Sequence, residues 1–190
     1  RTFEGVMENP MGIIRGERSL ARQPQARAEL YGVVARLRLG LGDYREANTL
    51  LDKQDVLLAN LPDAPVSLRL EAATLRGNAY RQLGNLGGCI DAMRLLEDAA
   101  LREEERLPTQ AAAFYSQQGR CQQELDQSAL ANRLYMRSLQ LRRKQGDDVG
   151  VAEHRVEAGV AVQVLAGDGF GAAQLGQPLV GHAVGEGARV

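Results

Sequence analysis

The sequence predicts an all-α fold: a solenoid of three to four stacked helical hairpins with a period of 42 residues. Three observations carry this. First, the turn residues Gly42, Gly84 and Asp126 recur at one step, as do small Ala35, Gly77 and Gly119, small Ala47, Cys89 and Ala131, and large Leu51, Met93 and Tyr135. Self-similarity at a fixed period of this length marks stacked repeats, because one hairpin cannot bury both of its apolar stripes alone. Second, hydrophobic content is 44% but the aromatic share is 4% with no Trp. The core therefore falls to Leu, Ala and Val, and Ala, Leu, Arg, Gln and Glu all favour helix. Third, glycine turns alternate with the proline breaks at Pro62, Pro65 and Pro108, which separate helices into pairs.

Residues 1–24 contain Gly5, Pro10, Gly12 and Gly16, which interrupt any long helix. They are read as the end of a preceding repeat or a linker. The first hairpin opens with a helix over 25–40, where Leu30, Tyr31, Val34, Leu37 and Leu41 fall near helical spacing. Gly40 and Gly42 close it. Asp43 and Glu46 fit a capping box for the second helix, 44–60, with Ala47, Leu50, Leu51, Leu57 and Leu58 inward. The second hairpin begins near Val66, with Leu68, Leu70, Ala73, Leu75, Gly77 and Tyr80 on its first helix. Its partner is expected as one helix from Leu86 to about Arg106, weakened at Gly87 and Gly88. The run Glu103-Glu104-Glu105-Arg106 reads as a solvated helix end. The third hairpin spans 109–145, with Ala112, Tyr115, Gly119 and Leu125 on one helix and Ala131, Leu134, Tyr135, Ser138 and Leu139 on the other. Three hairpins thus occupy 25–148. Residues 149–190 continue the rhythm through Ala161, Asp168, Phe170 and Ala173, but eight glycines within 155–190 degrade it. This segment is expected to be a degenerate fourth repeat followed by a disordered tail.

On these residues, segment 26–145 resembles tetratricopeptide repeats. Tyr31, Ala35, Gly42, Tyr44, Ala47 and Leu51 match that family's pattern in the first unit. Gly77, Tyr80, Gly84 and Met93 match it in the second, with Cys89 in place of Ala, and Tyr115, Gly119, Ala131 and Tyr135 match it in the third. Arg38, Gln122 and Ser128 stand where aromatics are usual, and the period exceeds the family's common ~34 residues. The resemblance implies a right-handed solenoid whose first helices line a groove for a protein or peptide ligand. The first unit is also similar to repeat regions that follow the catalytic domain of bacterial serine/threonine protein kinases, and to repeats in some bacterial transcription regulators. That similarity implies a docking or sensing region of a larger cytoplasmic signalling protein, any kinase domain lying upstream of Arg1.

The resemblance also supplies the candidate site. The residue after each small one is Arg36, Asn78 and Arg120, a polar ladder across the groove, joined by Arg81, Gln117 and Gln123. Arg grips a carboxylate through two parallel hydrogen bonds, so an acidic ligand is expected, with a second copy of the chain as the alternative occupant. The residues offer no catalytic or cofactor-binding motif: a phosphate loop, Gly-x-Ser-x-Gly and the kinase loops are missing, and Gly167-Asp168-Gly169-Phe170-Gly171 only imitates one of them. His154 and His182 lack metal-ligand spacing, and Asp147-Asp148 is a turn rather than a calcium loop. A net charge of −1 argues against general nucleic-acid or membrane-surface binding. No apolar run reaches the ~20 residues of a membrane span. The two cysteines, Cys89 and Cys121, do not suggest a disulfide framework. Cys89, where the repeat wants a small side chain, is expected to be a buried free thiol.

Overall fold

The structure is a computed structural model that describes residues 22–146. These residues form α-helices and turns, with no strand among them. Three long helices begin one period apart: α1 (Pro24–Gly40), α3 (Val66–Gln82) and α6 (Pro108–Glu124), each 17 residues. Their partners do the same: α2 (Tyr44–Ala59), α4 (Leu86–Arg94) and α7 (Ser128–Lys144). Proline opens α1 and α6 and immediately precedes α3; its fixed φ suits the first helical turn, where its missing N–H leaves no bond unmade. Residues 1–21 and 147–190 lie outside the described residues, and with them the expected fourth repeat, both histidines and the Asp147-Asp148 turn.

Each pair is joined by the same turn. Gly42, Gly84 and Asp126 have φ of +83°, +74° and +59°. The following amide reaches back to the carbonyl five residues earlier: Asp43 to Arg38 at 2.9 Å, Asn85 to Tyr80 at 2.8 Å, Gln127 to Gln122 at 2.9 Å. This is the Schellman arrangement, which satisfies carbonyls that a helix end otherwise leaves open. The expected capping box does not form. Asp43 precedes α2 but makes no side-chain cap; its carboxylate accepts from Arg38 at 3.0 Å instead. Asn85 is the residue that caps, accepting from the Gly88 amide at 2.9 Å.

Paired helices run antiparallel, as their nested hydrogen bonds show: Thr109 meets Gln145 far from the third turn, and Tyr135 meets Gln123 near it. The small residue of each first helix faces the large one of its partner. A Cβ on Gly77 would lie 2.8 Å from Met93 Sδ, and one on Gly119 would lie 2.7 Å from the Tyr135 ring. In the first pair Ala35 and Leu51 are both fully buried in one cluster. Successive pairs then stack. Helix α3 packs against α1 and α2, and α6 packs against α3 and α4. Helix α3 is accordingly buried on two sides: Leu75 and Ala79 join the first pair's core, while Leu70 and Ala73 join Phe114, Tyr115 and Leu134.

The single long partner expected for α3 is broken in two. Helix α4 stops at Arg94 and α5 (Glu97–Glu103) follows. The break pushes Leu95 out, 87% exposed, and turns Leu96 and Ala100 onto the cluster around Phe114. Two further expectations shift: Leu41 and Leu125 are exposed residues at helix ends rather than part of the apolar stripe.

Two outcomes follow from the repeated turn and the repeated close approach. Gly84→Ala forces a left-handed conformation on a residue with a Cβ and should cost about 1 kcal/mol, whereas Asp126→Gly should gain about 0.5 kcal/mol; urea unfolding of both variants measures this. Gly119→Ala should cost about 1–3 kcal/mol by overpacking against Tyr135. Adding Tyr135→Leu, which recreates the Ala35–Leu51 pair, should recover most of that loss, and a double-mutant cycle reads the coupling.

Candidate functional site

The first helices α1, α3 and α6 carry the polar ladder. Arg36 on α1 has a side chain 57% exposed and hydrogen-bonds Glu71 on α3. One unit on, Arg81 on α3 donates from Nη1 to Glu124 Oε1 on α6 at 2.7 Å. Asn78 accepts from Arg81 at 3.4 Å, and half-buried Arg120 lies one period beyond it. Gln123 is exposed and accepts from the Tyr135 hydroxyl at 2.8 Å. The structure therefore places Arg36, Asn78, Arg81, Arg120 and Gln123 at least partly open to solvent. It does not place Gln117 with them. That side chain is 2% exposed, turned into the joint between second and third pairs, with Nε2 3.6 Å from Cys121 Sγ.

Glu71 and Glu124 belong to the same surface, and sequence reasoning missed them. Each is the internal carboxylate of an arginine in the preceding unit. A ladder expected to grip an acidic ligand is thus partly engaged by acids of its own chain. Such half-exposed pairs are held weakly, since solvent screens them and ordering two long side chains costs entropy.

Part-buried polar bridges, each rooted in a buried side chain of a first helix, also tie one unit to the next. Arg76, 4% exposed on α3, donates to Asp52 at 2.6 Å and Asp55 at 2.7 Å on α2, and to Asn48 Oδ1 at 2.9 Å. Its guanidinium also lies over the Tyr80 ring. One period later, buried Gln118 on α6 donates to Glu97 on α5. Arg76 and Gln118 are equivalent positions, and so are Asp55 and Glu97. Burial raises both carboxyls above the ordinary range, against the opposing pull of Arg76 on Asp55 and of the Gln118 hydrogen bond on Glu97. A second equivalence lies within pairs: Gln54 Nε2 donates to the Ala28 carbonyl at 2.9 Å and Ser138 Oγ to the Ala112 carbonyl at 2.7 Å.

Within the acidic run Glu105 and Arg106 are exposed, as a solvated helix end requires, but Glu104 is not. Glu104 is clamped by Arg137 on α7 through Nε at 2.7 Å and Nη2 at 2.9 Å, and accepts from the Tyr115 hydroxyl at 3.3 Å. Arg137 also lies over the Tyr115 ring. Burial pushes the Tyr115 phenol well above its usual pKa; Arg137 opposes this and Glu104 adds to it.

The expected free thiol is also corrected. Cys89 on α4 and Cys121 on α6 are joined as a disulfide, with Cα atoms 6.2 Å apart. The step that brings α6 against α4 places two residues 32 apart in sequence face to face, a proximity that periodicity alone does not reveal.

Among the described residues no group of three or more His, Cys, Asp or Glu side chains is placed to hold a metal, and no helix is long and apolar enough to cross a membrane. No family model matches the chain, and no curated protein or solved structure matches it either.

The Tyr115 environment makes a pH prediction. An unfolded phenol ionises near pH 10, and the folded one keeps its proton to higher pH. Above about pH 10 the folded state binds more protons than the unfolded state, so stability falls as pH rises further. Tyr115→Phe should remove that component, flattening the decline of the urea midpoint between about pH 9 and pH 11 relative to wild type.

Proposed function

We propose that residues 22–146 are a protein-docking module built on the tetratricopeptide plan, which recruits an acidic peptide or protein segment through the ladder of Arg36, Asn78, Arg81, Arg120 and Gln123. The observation that carries this reading is the common 42-residue offset of the helix limits, which sets α1, α3 and α6 side by side with polar residues at equivalent places. A preformed surface of this kind leaves the ordering entropy of binding mainly to the ligand. The ligand's carboxylates would displace Glu71 from Arg36 and Glu124 from Arg81, so recognition is an exchange of weak internal ion pairs for external ones. The similarity of the first unit to repeats beside bacterial kinase domains supports a place in a larger cytoplasmic signalling protein.

A labelled pentaglutamate peptide with a free carboxyl terminus, titrated by fluorescence anisotropy at low salt, tests the ladder. Arg36→Glu with Arg120→Glu should weaken binding about tenfold or more, and Glu71→Gln with Glu124→Gln should strengthen it by releasing the arginines. Equal binding by all three proteins removes the acidic-ligand reading. Absence of binding, with the chain sedimenting as a dimer, transfers the surface to a second copy.

A further inference from the structure

Cys89 and Cys121 are the only cysteines of the chain. Both are 0% exposed, and they lie on helices of successive units, α4 and α6. Their Cα separation of 6.2 Å falls in the roughly 4.4–6.8 Å that a disulfide spans. One period earlier, at the joint between first and second units, the same two places hold Ala47 and Ala79. These are also 0% exposed and share one cluster. Two small apolar side chains therefore meet the packing demand at this position, and the sulfur pair adds a chemistry that packing does not require. Polar groups border the joined sulfurs. The Gly77 carbonyl oxygen lies 3.0 Å from Cys89 Sγ, an acceptor for the S–H that reduction would create. Gln117 Nε2, itself buried, stands 3.6 Å from Cys121 Sγ and 4.0 Å from Cys89 Sγ.

We propose that this pair is a redox-operated clasp between the second and third hairpins, closed as a disulfide and opened as two thiols. Closure needs an oxidant of the small-molecule disulfide class, such as oxidised glutathione. One cysteine thiolate attacks a sulfur of the small disulfide, forming a mixed disulfide and expelling the first small thiolate. The second cysteine thiolate attacks the protein sulfur of that intermediate, forming the Cys89–Cys121 bond and expelling the second. Two electrons pass to the small disulfide, and the two cysteine protons end on the two released thiols. Because both sulfurs are buried, exchange requires α4 and α6 to part, so the bond sets how freely this joint opens. The Arg81–Glu124 pair crosses the same joint from α3 to α6, whereas Arg36–Glu71 crosses the unclasped joint before it. The clasp does not depend on the docking role proposed above.

The full chain, equilibrated in glutathione buffers of graded oxidised-to-reduced ratio, then unfolded at neutral pH in urea containing excess N-ethylmaleimide, reports the bond by mass. The expected product at oxidising ratios is two hydrogens lighter, unalkylated, without a glutathione adduct, and restored by dithiothreitol. Its thermal midpoint should exceed that of the reduced chain by about 10 °C. Cys89→Ala with Cys121→Ala, which copies Ala47 and Ala79, should fold with a midpoint indifferent to the buffer. If that variant is unfolded, Cys89→Ala alone serves as the reference and must lose the oxidation-dependent rise. Two alkylatable cysteines at the most oxidising ratio, a stable glutathione adduct, or identical midpoints for oxidised and reduced wild type would overturn the proposal.

Discussion

Each pair of helices depends on one close contact, a small residue pressed against a large one. Ala35 against Leu51, Gly77 against Met93 and Gly119 against Tyr135 set how near the two axes lie. Methyl-sized changes matter there because interiors are packed to crystal-like density and relax only partly. The turn residue fixes the register of this contact. Gly42, Gly84 and Asp126 each send the chain back after the same number of residues, so the small position meets the large one every time. A displaced turn would set the small residue against the wrong partner and leave the large one without room.

Once the pairs are formed, the same rhythm governs how they join. Apolar burial supplies most of the energy, about 1.5–3 kcal/mol for each fully buried side chain such as Leu70 or Leu134. The polar bridges supply placement. Arg76 to Asp55 and Gln118 to Glu97 occupy equivalent positions but use different chemistry, an ion pair in one joint and a neutral donor in the other. What recurs is a long polar side chain on a first helix reaching back to an acid on the preceding unit. Buried groups of this type must find partners, so a unit slipped out of register would leave Arg76 or Gln118 without its acid.

The second unit departs from its neighbours in ways that belong together. Its second helix breaks at Leu95, its small residue is Cys89 rather than Ala, and Glu104 after α5 faces inward. The break turns α5 toward α6, so that Ala100 joins the core and Glu104 meets Arg137 and Tyr115. Both joints carry an inter-unit ion pair and a long polar bridge, but the joint after this unit adds a disulfide and a clamped carboxylate where the joint before it has an alanine contact. Chemistry that distinguishes one joint from another is concentrated after the second unit.

The sequence by itself determined the helical class, the period, the positions of the turns and, to within a residue, the starts of five helices. These follow from short-range physics: glycine and proline act where they stand, and a repeated small–large spacing survives translation along the chain. The tertiary structure decided what side chains separated by a unit do to one another. It divided the expected 86–106 helix, denied Asp43 its cap by giving it Arg38, buried Gln117, joined Cys89 to Cys121, and supplied Arg36 and Arg81 with carboxylates from the next unit. The residues carrying these interactions are visible in the chain, but their meeting depends on the angle and spacing at which one pair leans on the next. That lean is set by the summed packing of many side chains and is written at no single position.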